Sequence, residues 1–364
     1  MGRDTVEANA ERYAAALRNG DLAGRELTGA DLTGVDGRGA NLQGSAWLEV
    51  MLAGANLADS DLSSAMLHDC DLSTADLSRA KAIGTKIVAT VLRGSTSHSA
   101  TFDDAQFIES DLSAIDLRGS SLARAVINNC LAAEARLGGA TLAQSVLSGT
   151  QFAKAVLTRA SLRHASLTAV LLEGAVAAGA DFTACDIRDA NLTRLTAPGA
   201  AFQDAVFASV QAPHADLSRC DVSRATVRDS VFDRSTLCRA AMDGCRFIDC
   251  SFEFSDLRAV RATGSDFSRA SFVGADLRGA RLHHCILQDA DFYWADLSDC
   301  EIIECDTTGV RFPEPQRIAY GPKGVSPPRV IPVPLYRTAA TDAEIRTMIS
   351  QGLEPDIEAK DGRR

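Results

Sequence analysis

The sequence predicts an all-β solenoid in which the chain winds into a four-sided tube. A large apolar side chain recurs at every fifth position from Leu22 to Phe312, with nine smaller exceptions in 59 positions and no slip of phase. A small residue lies two positions before almost every large one. A twenty-residue period lies within the first, as in the series Phe232, Phe252, Phe272, Phe292 and Phe312. Helices and strands have periods of 3.6 and 2, whereas a longer fixed repeat is typical of solenoids.

The five-residue unit explains the predicted cross-section. It reads small, variable, large apolar, variable, variable, so two side chains of five point inward and three face water. Four units make one coil, because residues twenty apart then lie above one another and identical side chains stack. Neighbouring coils should be spaced like strands, about 4.8 Å apart. Roughly fifteen coils then give a tube on the order of 70 Å long.

Individual units are similar to those of a known family. Ala40-Asn41-Leu42-Gln43-Gly44 and Ala275-Asp276-Leu277-Arg278-Gly279 resemble the units of pentapeptide-repeat proteins. The resemblance covers about residues 20–312 and implies a right-handed quadrilateral β-helix of about 15 coils. It says little about function, because a fold does not determine chemistry.

Three further segments flank the repeat. Residues 1–19 are expected to be an N-terminal capping helix, because one amphipathic face runs from Val6 to Leu17 and Gly20 lies where the helix should end. Residues 20–312 form the β-helix. Seven prolines in 313–337 predict an extended segment over 313–340. Thr341 and Glu344 form a capping box, so residues 341–364 are expected to hold a short helix and a frayed tail.

The cysteines and histidines do not predict a metal or catalytic site. Nine of the ten cysteines occupy the small inward position, where Cys acts as a small hydrophobe; these are Cys70, Cys130, Cys185, Cys220, Cys245, Cys250, Cys285, Cys300 and Cys305. Only Cys238 faces outward. In His283-His284-Cys285 the thiol points inward and both imidazoles point outward, so the three cannot share a tetrahedral ion. We expect no metal, no cofactor and no enzymatic activity.

Charge varies along the predicted rod. The net charge is −11, which argues against direct binding of nucleic acid. Residues 20–122 and 181–312 are acidic, whereas 123–180 carry five basic and two acidic side chains. The N-terminus is charged, and no run of about 18 apolar residues occurs. The expectation is a soluble, cytoplasmic protein that does not bind membranes.

The basic middle section also carries apolar residues where Asp or Asn usually precedes the large residue. The candidate partner interface consists of Val126, Leu131, Val146, Val156, Leu171 and Val176. Such residues can be tolerated on a sheet face, or they can form an interface for a protein partner or for self-association. Self-association through the C-terminal helix is a further possibility, and the sequence leaves the oligomeric state open.

A second candidate patch lies near the end of the repeat. Phe254 and Trp294 share a column two coils apart, with Gly274 between them and Tyr293 alongside. Outward aromatic residues mark interfaces, so this patch is expected to receive either the chain's own tail or a partner. The sequence does not decide whether the tail packs on its own rod or on another chain.

Two functions from different classes remain. The first is a non-catalytic scaffold that binds other proteins; the resemblance implies a role that some members have in bacterial secretion clusters, including those of type VI secretion. The alternative is a DNA mimic that binds a type II topoisomerase such as gyrase, as the quinolone-resistance members do. The unbroken repeat and the basic middle section favour the scaffold.

Overall fold

The computed structural model describes residues 3–313 and 329–332, and only the backbone of 3–10 and 329–332. Helix α1 (Arg3–Arg18) is followed by a quadrilateral β-helix of about 14 turns. Every strand pair and bridge of the described chain is parallel, and residues twenty apart pair from Asp21 with Asn41 to Asp291 with Arg311. The described part contains no helix with the length and hydrophobicity needed to cross a membrane.

Two parallel sheets contain the strands. The first sheet consists of β1 (Glu26–Thr28), β2 (Ala46–Leu48), β3 (Met66–His68), β4 (Lys86–Val88), β5 (Gln106–Ile108), β6 (Val126–Asn128), β7 (Val146–Ser148), β8 (Ser166–Thr168), β9 (Asp186–Arg188), β10 (Val206–Ala208), β11 (Thr226–Arg228) and β12 (Arg246–Ile248). The second consists of β13 (Arg261–Thr263), β14 (Arg281–His283), β15 (Glu301–Cys305) and β16 (Arg329–Pro332).

Each coil has four sides of five residues. We number them from the first coil, so that side 1 begins with 21–25, side 2 with 26–30, side 3 with 31–35 and side 4 with 36–40, and each recurs every twenty residues. Strands β1–β12 lie on side 2, whereas β13–β15 lie on side 1. The strands therefore move to the neighbouring side between β12 and β13, although the five-residue repeat continues without a break.

The residue before the large one supports turns at many corners. Where it is Asp or Asn, its side-chain oxygen often accepts the backbone N–H two residues on, as Asp71 does from Ser73 at 2.8 Å in a tight turn. On side 2 from Glu26 to Arg246 this position holds such a residue only at Asp186, and all these units are strands. Units without Asp or Asn on the other sides, such as the one that begins with Thr101, are also turns, so this residue alone does not decide where strands form. At Asp266 the carboxylate accepts from Ser268 N at 3.0 Å, and side 2 becomes a turn.

The core consists of the predicted ladders. Phenylalanine rings twenty residues apart stack with centroid distances of 5.3, 5.3, 4.7 and 6.0 Å from Phe232 to Phe312. The small inward residues, including nine cysteines, are buried between the ladders. This alternation of large and small side chains fills a narrow interior closely, with a small apolar cavity of about 10 Å³ beside Phe207 and Phe232.

The N-terminal helix covers the open end of the core. Leu17 is 1 % exposed, and a Cβ atom added at Gly37 would lie 2.9 Å from its Cδ2. Leu17 thus fills the space that Gly37 leaves in the ladder below Leu57. The Tyr13 hydroxyl donates to the Glu26 carbonyl at 3.3 Å and ties the helix to β1. An edge strand that would otherwise be unpaired is covered.

At the other end, β16 extends the second sheet. Its backbone pairs in parallel with β15, with Arg329 opposite Glu301 and Ile331 opposite Ile303. This short segment of the predicted 313–340 region is therefore a strand on side 1. The rest of that region beyond Pro313, and the helix and tail predicted for 341–364, lie outside the described residues.

Candidate interaction surfaces

The six apolar residues of the middle section form a belt around three sides of the rod. Val126 pairs with Val146 on side 2, and Val156 with Val176 on side 4. Leu131 and Leu171 lie on side 3 with Gln151 between them. Four are exposed and two half-buried, namely Leu131, Val146, Val156 and Leu171, and Val126 and Val176. They do not make one flat patch, so a partner that touches one side meets at most two of them.

On side 2 the apolar surface extends well beyond the belt. The outward side chains of β2–β8 include no carboxylate and a single lysine, Lys86, and we call this surface the neutral sheet face. Leu48 is 40 % and Met66 47 % exposed, and Val88 and Ile108 are half-buried. The sequence reasoning missed these four because it examined apolar side chains only in the middle section. Leu48, Val88 and Ile108 occupy the position after the large residue, and apolar residues at that position would have revealed this surface in the sequence.

The same strands carry little charge. Asp and Asn are missing before the large residue throughout β2–β8, which leaves Lys86 as the one charged side chain of this surface apart from the titratable His68. Carboxylates return at the adjoining corner, where Glu49, Asp69 and Glu109 follow the strands with φ of 55°, 52° and 51°. A centre depleted of charge beside a charged rim is the usual anatomy of a protein–protein interface.

The size of the neutral sheet face limits what it can bind alone. Seven strands spaced about 4.8 Å apart and three residues wide give about 300 Å². A stable interface covers about 800 Å² on each partner. Side 3 offers the nearest addition, since Met51 is 49 %, Leu131 44 % and Leu171 39 % exposed. A stable partner must therefore contact sides 2 and 3 around their common corner.

The aromatic patch is present on side 3 near the C-terminal end of the rod. Phe254 is 51 % and Trp294 46 % exposed, and the Trp294 ring stacks on Tyr293 at 4.9 Å. Phe254 lies over Gly274, where an added Cβ would be 2.6 Å from its ring. The Arg311 guanidinium lies 3.9 Å above the Tyr293 ring. Strand β16 lies on side 1, so docking of another tail segment or a partner on this patch stays a prediction.

Ion pairs follow the coil spacing in the acidic sections. Corner arginines bond an aspartate twenty residues earlier, as Arg79 does with Asp59 at 2.7 Å and Arg124 with Asp104 at 2.6 Å. These hydrogen bonds lower the pKa of Asp59 and Asp104 below the ordinary value. In the middle section, Arg136, Lys154 and Arg159 have no carboxylate partner among the described residues. Three of the five basic side chains in the predicted basic middle therefore lack an ion-pair partner among the described residues, whereas Arg124 and Arg163 pair with aspartates of the neighbouring acidic sections.

Thiols and imidazoles lie apart, as the inward and outward positions require. All ten thiols are free, and only Cys238 is not buried. Burial raises the pKa of Cys185 and Cys220 to about 12, so these thiols stay protonated. His283 Nε2 lies 3.3 Å from Glu301 and His284 Nδ1 2.9 Å from Glu304. No group of three or more potential metal ligands occurs among the described residues.

Comparison with solved structures finds distant neighbours. HetL, a pentapeptide repeat protein involved in heterocyst differentiation regulation from the cyanobacterium Nostoc sp. strain PCC 7120, is 22 % identical over 62 % of this chain and 87 % of its own, with a TM-score of 0.26. QnrB1, a plasmid-mediated fluoroquinolone resistance protein, is 20 % identical over 64 % of this chain and 93 % of its own, with a TM-score of 0.22. Rfr23 from the cyanobacterium Cyanothece 51142 is 19 % identical over 26 % of this chain and 60 % of its own, with a TM-score of 0.19. A search of curated proteins finds no match.

A family model matches most of the rod. The model described as pentapeptide repeats (8 copies) matches residues 15–46, 50–94, 133–174, 160–200, 185–224, 215–253, 245–283, 265–301 and 275–312. Together these segments cover well over half of the chain, and the coils continue unchanged through the unmatched residues 95–132. This protein belongs to the pentapeptide-repeat family.

Proposed function

We propose that the protein is a non-catalytic scaffold that binds another protein through the neutral sheet face and the adjoining part of side 3. The observation that carries the proposal is a carboxylate-free surface over seven consecutive strands on an otherwise acidic rod. Exposed apolar side chains at Leu48, Met66 and Val146 supply the contact area. Because the core is packed throughout its length, the surface is pre-organised and loses little conformational entropy on binding.

The absence of catalysis is part of the same proposal. The small residues that alternate with the large ones are buried, and the titratable side chains lie scattered over many coils. The walls carry turns of two residues and no long loop between the described strands. The architecture of the rod therefore supports a non-catalytic role. Assays of the purified protein for hydrolase and transferase activity would test this role directly.

A matched pair of substitutions tests the binding surface. Val146→Glu places a carboxylate in the centre of the neutral sheet face, whereas Val206→Glu makes the same change in the same column outside it. We expect Val146→Glu to abolish co-purification of the partner from the native host, while Val206→Glu leaves it within about twofold. Equal retention by both variants would contradict the proposal.

The setting of the scaffold is a finer proposal. The family resemblance suggests an accessory role in a bacterial secretion cluster, including type VI secretion, and a cytoplasmic location. Identification of the co-purified partner by mass spectrometry tests this setting. A partner that has no role in secretion would contradict the proposed secretion-cluster role but not the scaffold function. A second copy of the chain as the partner would instead assign the surface to self-association.

The alternative function is DNA mimicry toward a type II topoisomerase. The net charge of −11 favours it. Two observations weigh against it: arginines neutralise carboxylates such as Asp59 and Asp104, and Arg136, Lys154 and Arg159 interrupt the negative surface. A gyrase supercoiling assay separates the two functions. Inhibition at micromolar protein, reversed by added DNA, would favour mimicry over the scaffold.

A further inference from the structure

A shallow groove lies on side 4, away from the neutral sheet face. Its volume is about 410 Å³, which lies within the range of small-molecule sites. The groove is lined by Pro198, Ser218, Arg219, Cys238, Arg239, Arg258 and Ala259. Three of these seven residues are arginines and none is a carboxylate, so the lining is cationic.

Two of the arginines depart from the pairing pattern of the corners. Arg79, Arg124, Arg224 and Arg269 each bond an aspartate twenty residues earlier. For Arg219 the residue twenty earlier is Gly199, and for Arg239 it is Arg219 itself. Neither guanidinium forms an ion pair with any residue that the structure describes. Their backbones lie on neighbouring coils about 4.8 Å apart, so two positive side chains without an ion-pair partner leave the same corner of the rod.

The third arginine, Arg258, follows Ser218 and Cys238 in the same column, one coil after Cys238. The Arg258 guanidinium donates to both carboxylate oxygens of Asp256, at 2.8 and 2.7 Å, which fixes its orientation. A second carboxylate, Asp276, lies 3.7 Å from Arg258 Nε, so this arginine is charge-compensated. Asp216, two coils before Asp256, accepts the backbone N–H of Ser218 at 3.0 Å. Between the arginines, Ser218 and Cys238 are small, which leaves the open volume.

The geometry points to a binding site for a small phosphate-bearing anion. Arginine forks bind phosphate oxygens in pairs, and two guanidinium groups on neighbouring coils match an anion with at least two charges and several oxygens. A simple carboxylate brings one charge and two oxygens in a plane, which leaves one arginine unsatisfied. A bound phosphate group would supply the counter-ion that arginines such as Arg79 and Arg124 obtain from aspartate.

Cys238 provides a reporter inside the groove. It is the only cysteine of the ten that is not buried, so iodoacetamide should modify it selectively in the folded full-length chain. We expect millimolar inorganic pyrophosphate to slow its alkylation at least threefold, whereas sodium chloride at equal ionic strength does not. Orthophosphate should protect less than pyrophosphate, and calorimetric titration with pyrophosphate should give saturable binding.

Matched variants distinguish anion binding in the groove from a general effect of positive charge on the surface. The double variant Arg219→Gln/Arg239→Gln should lose protection, with each rate compared to the same variant without pyrophosphate. Arg159→Gln is the control, because Arg159 occupies the same corner of side 4 with Gly139 and Gly179 as its column neighbours. It should keep full protection. Thermal melting of both variants checks that they fold.

Three outcomes would overturn the inference. Equal protection in the double variant would place the anion elsewhere. Equal protection by citrate at the same charge would assign the groove to carboxylates. Slow alkylation of Cys238 without any anion, unchanged by pyrophosphate, would mean that the groove is already covered by other parts of the chain or by a second copy.

Discussion

The two sheets of the rod share a backbone conformation and differ in what they present to solvent. Strands β2–β8 carry no carboxylate and leave Met66 and Val146 exposed at 47 % and 44 %. Strands β13–β15 carry Arg281 and His283, which lie 3.4 and 3.3 Å from Glu301. The second sheet therefore pairs opposite charges across its strands and is extended by β16, whereas β2–β8 of the first present an exposed surface without carboxylates. Strand formation alone does not make an interface, because the outward-facing side chains of the strands determine what the surface can bind.

The largest expected effect comes from the core between the two sheets. Phe252 is fully buried in the ring ladder between β12 and β13. Phe252→Ala should destabilise the protein by about 3–5 kcal/mol. Because coils contact only their neighbours, we expect the C-terminal sheet to unfold at lower urea than the N-terminal one.

The two tryptophans report on the two regions separately. Trp47 lies in the core of the first sheet, and Trp294 near the second. Single-tryptophan forms of Phe252→Ala should give different urea midpoints, and coincident midpoints would argue for one cooperative unit. Phe254→Ala, at an exposed position two residues away, is the control and should change stability by less than about 0.5 kcal/mol.

A smaller effect is expected where the strands change sides. Asp266 accepts hydrogen bonds from the Ser268 N–H at 3.0 Å and from its hydroxyl at 2.5 Å. Asp266→Ala removes the acceptor and should cost about 1 kcal/mol. Asp186→Ala is the matched control, since Asp186 occupies the same column inside β9 and bonds only Arg188 Nε, at 2.7 Å. Equal losses, measured by urea unfolding, would refute the turn explanation.

The smallest effect is expected from a surface ion pair. The hydrogen bond from Arg118 lowers the pKa of Asp116 from its ordinary 3.8, with partial burial opposing. The pair therefore stabilises the fold above pH 3.8 and stops doing so as the pH falls through the lowered value. Asp116→Asn should cost at most about 1 kcal/mol at pH 7. Thermal melting should show this difference shrinking steadily below pH 3.8, and a difference that grows in acid would contradict the assignment.

The repeat was sufficient to predict the fold and the ring ladders, and the amphipathic face from Val6 to Leu17 predicted the N-terminal helix. The shift of strands from side 2 to side 1 was not predictable, because side 1 also lacks Asp at Lys81 and Thr101, where it forms turns. Gly37 stands where a large apolar residue is expected, and only the structure of helix α1 explains it, because Leu17 fills the space beside Gly37. Leu17 itself is in phase with the five-residue repeat. The pairing of β16 was not predictable, since Arg329 lies 28 residues after Glu301 and outside the twenty-residue period.

The candidate surfaces were predicted in part for a similar reason. Apolar residues at the position before the large one identified Val126 and Val146 in the sequence. The six residues of the belt lie on three different sides of the rod, and their spacing in the sequence already implied this. Leu48 and Met66 became part of a surface only when charge was followed along one side over seven coils. The arginine groove could be recognised only by comparing residues twenty apart, because Arg219 and Arg239 look like ordinary corner residues in the linear sequence.

Site-specific crosslinking in the native host can locate the partner on the rod. A photoreactive amino acid is placed at Met66 or Val146 on the neutral sheet face, and at Thr263 on the exposed surface of β13. We expect the first two positions to capture the same protein and Thr263 to capture none. Capture from Thr263 alone, or equal capture from all three, would contradict this expectation.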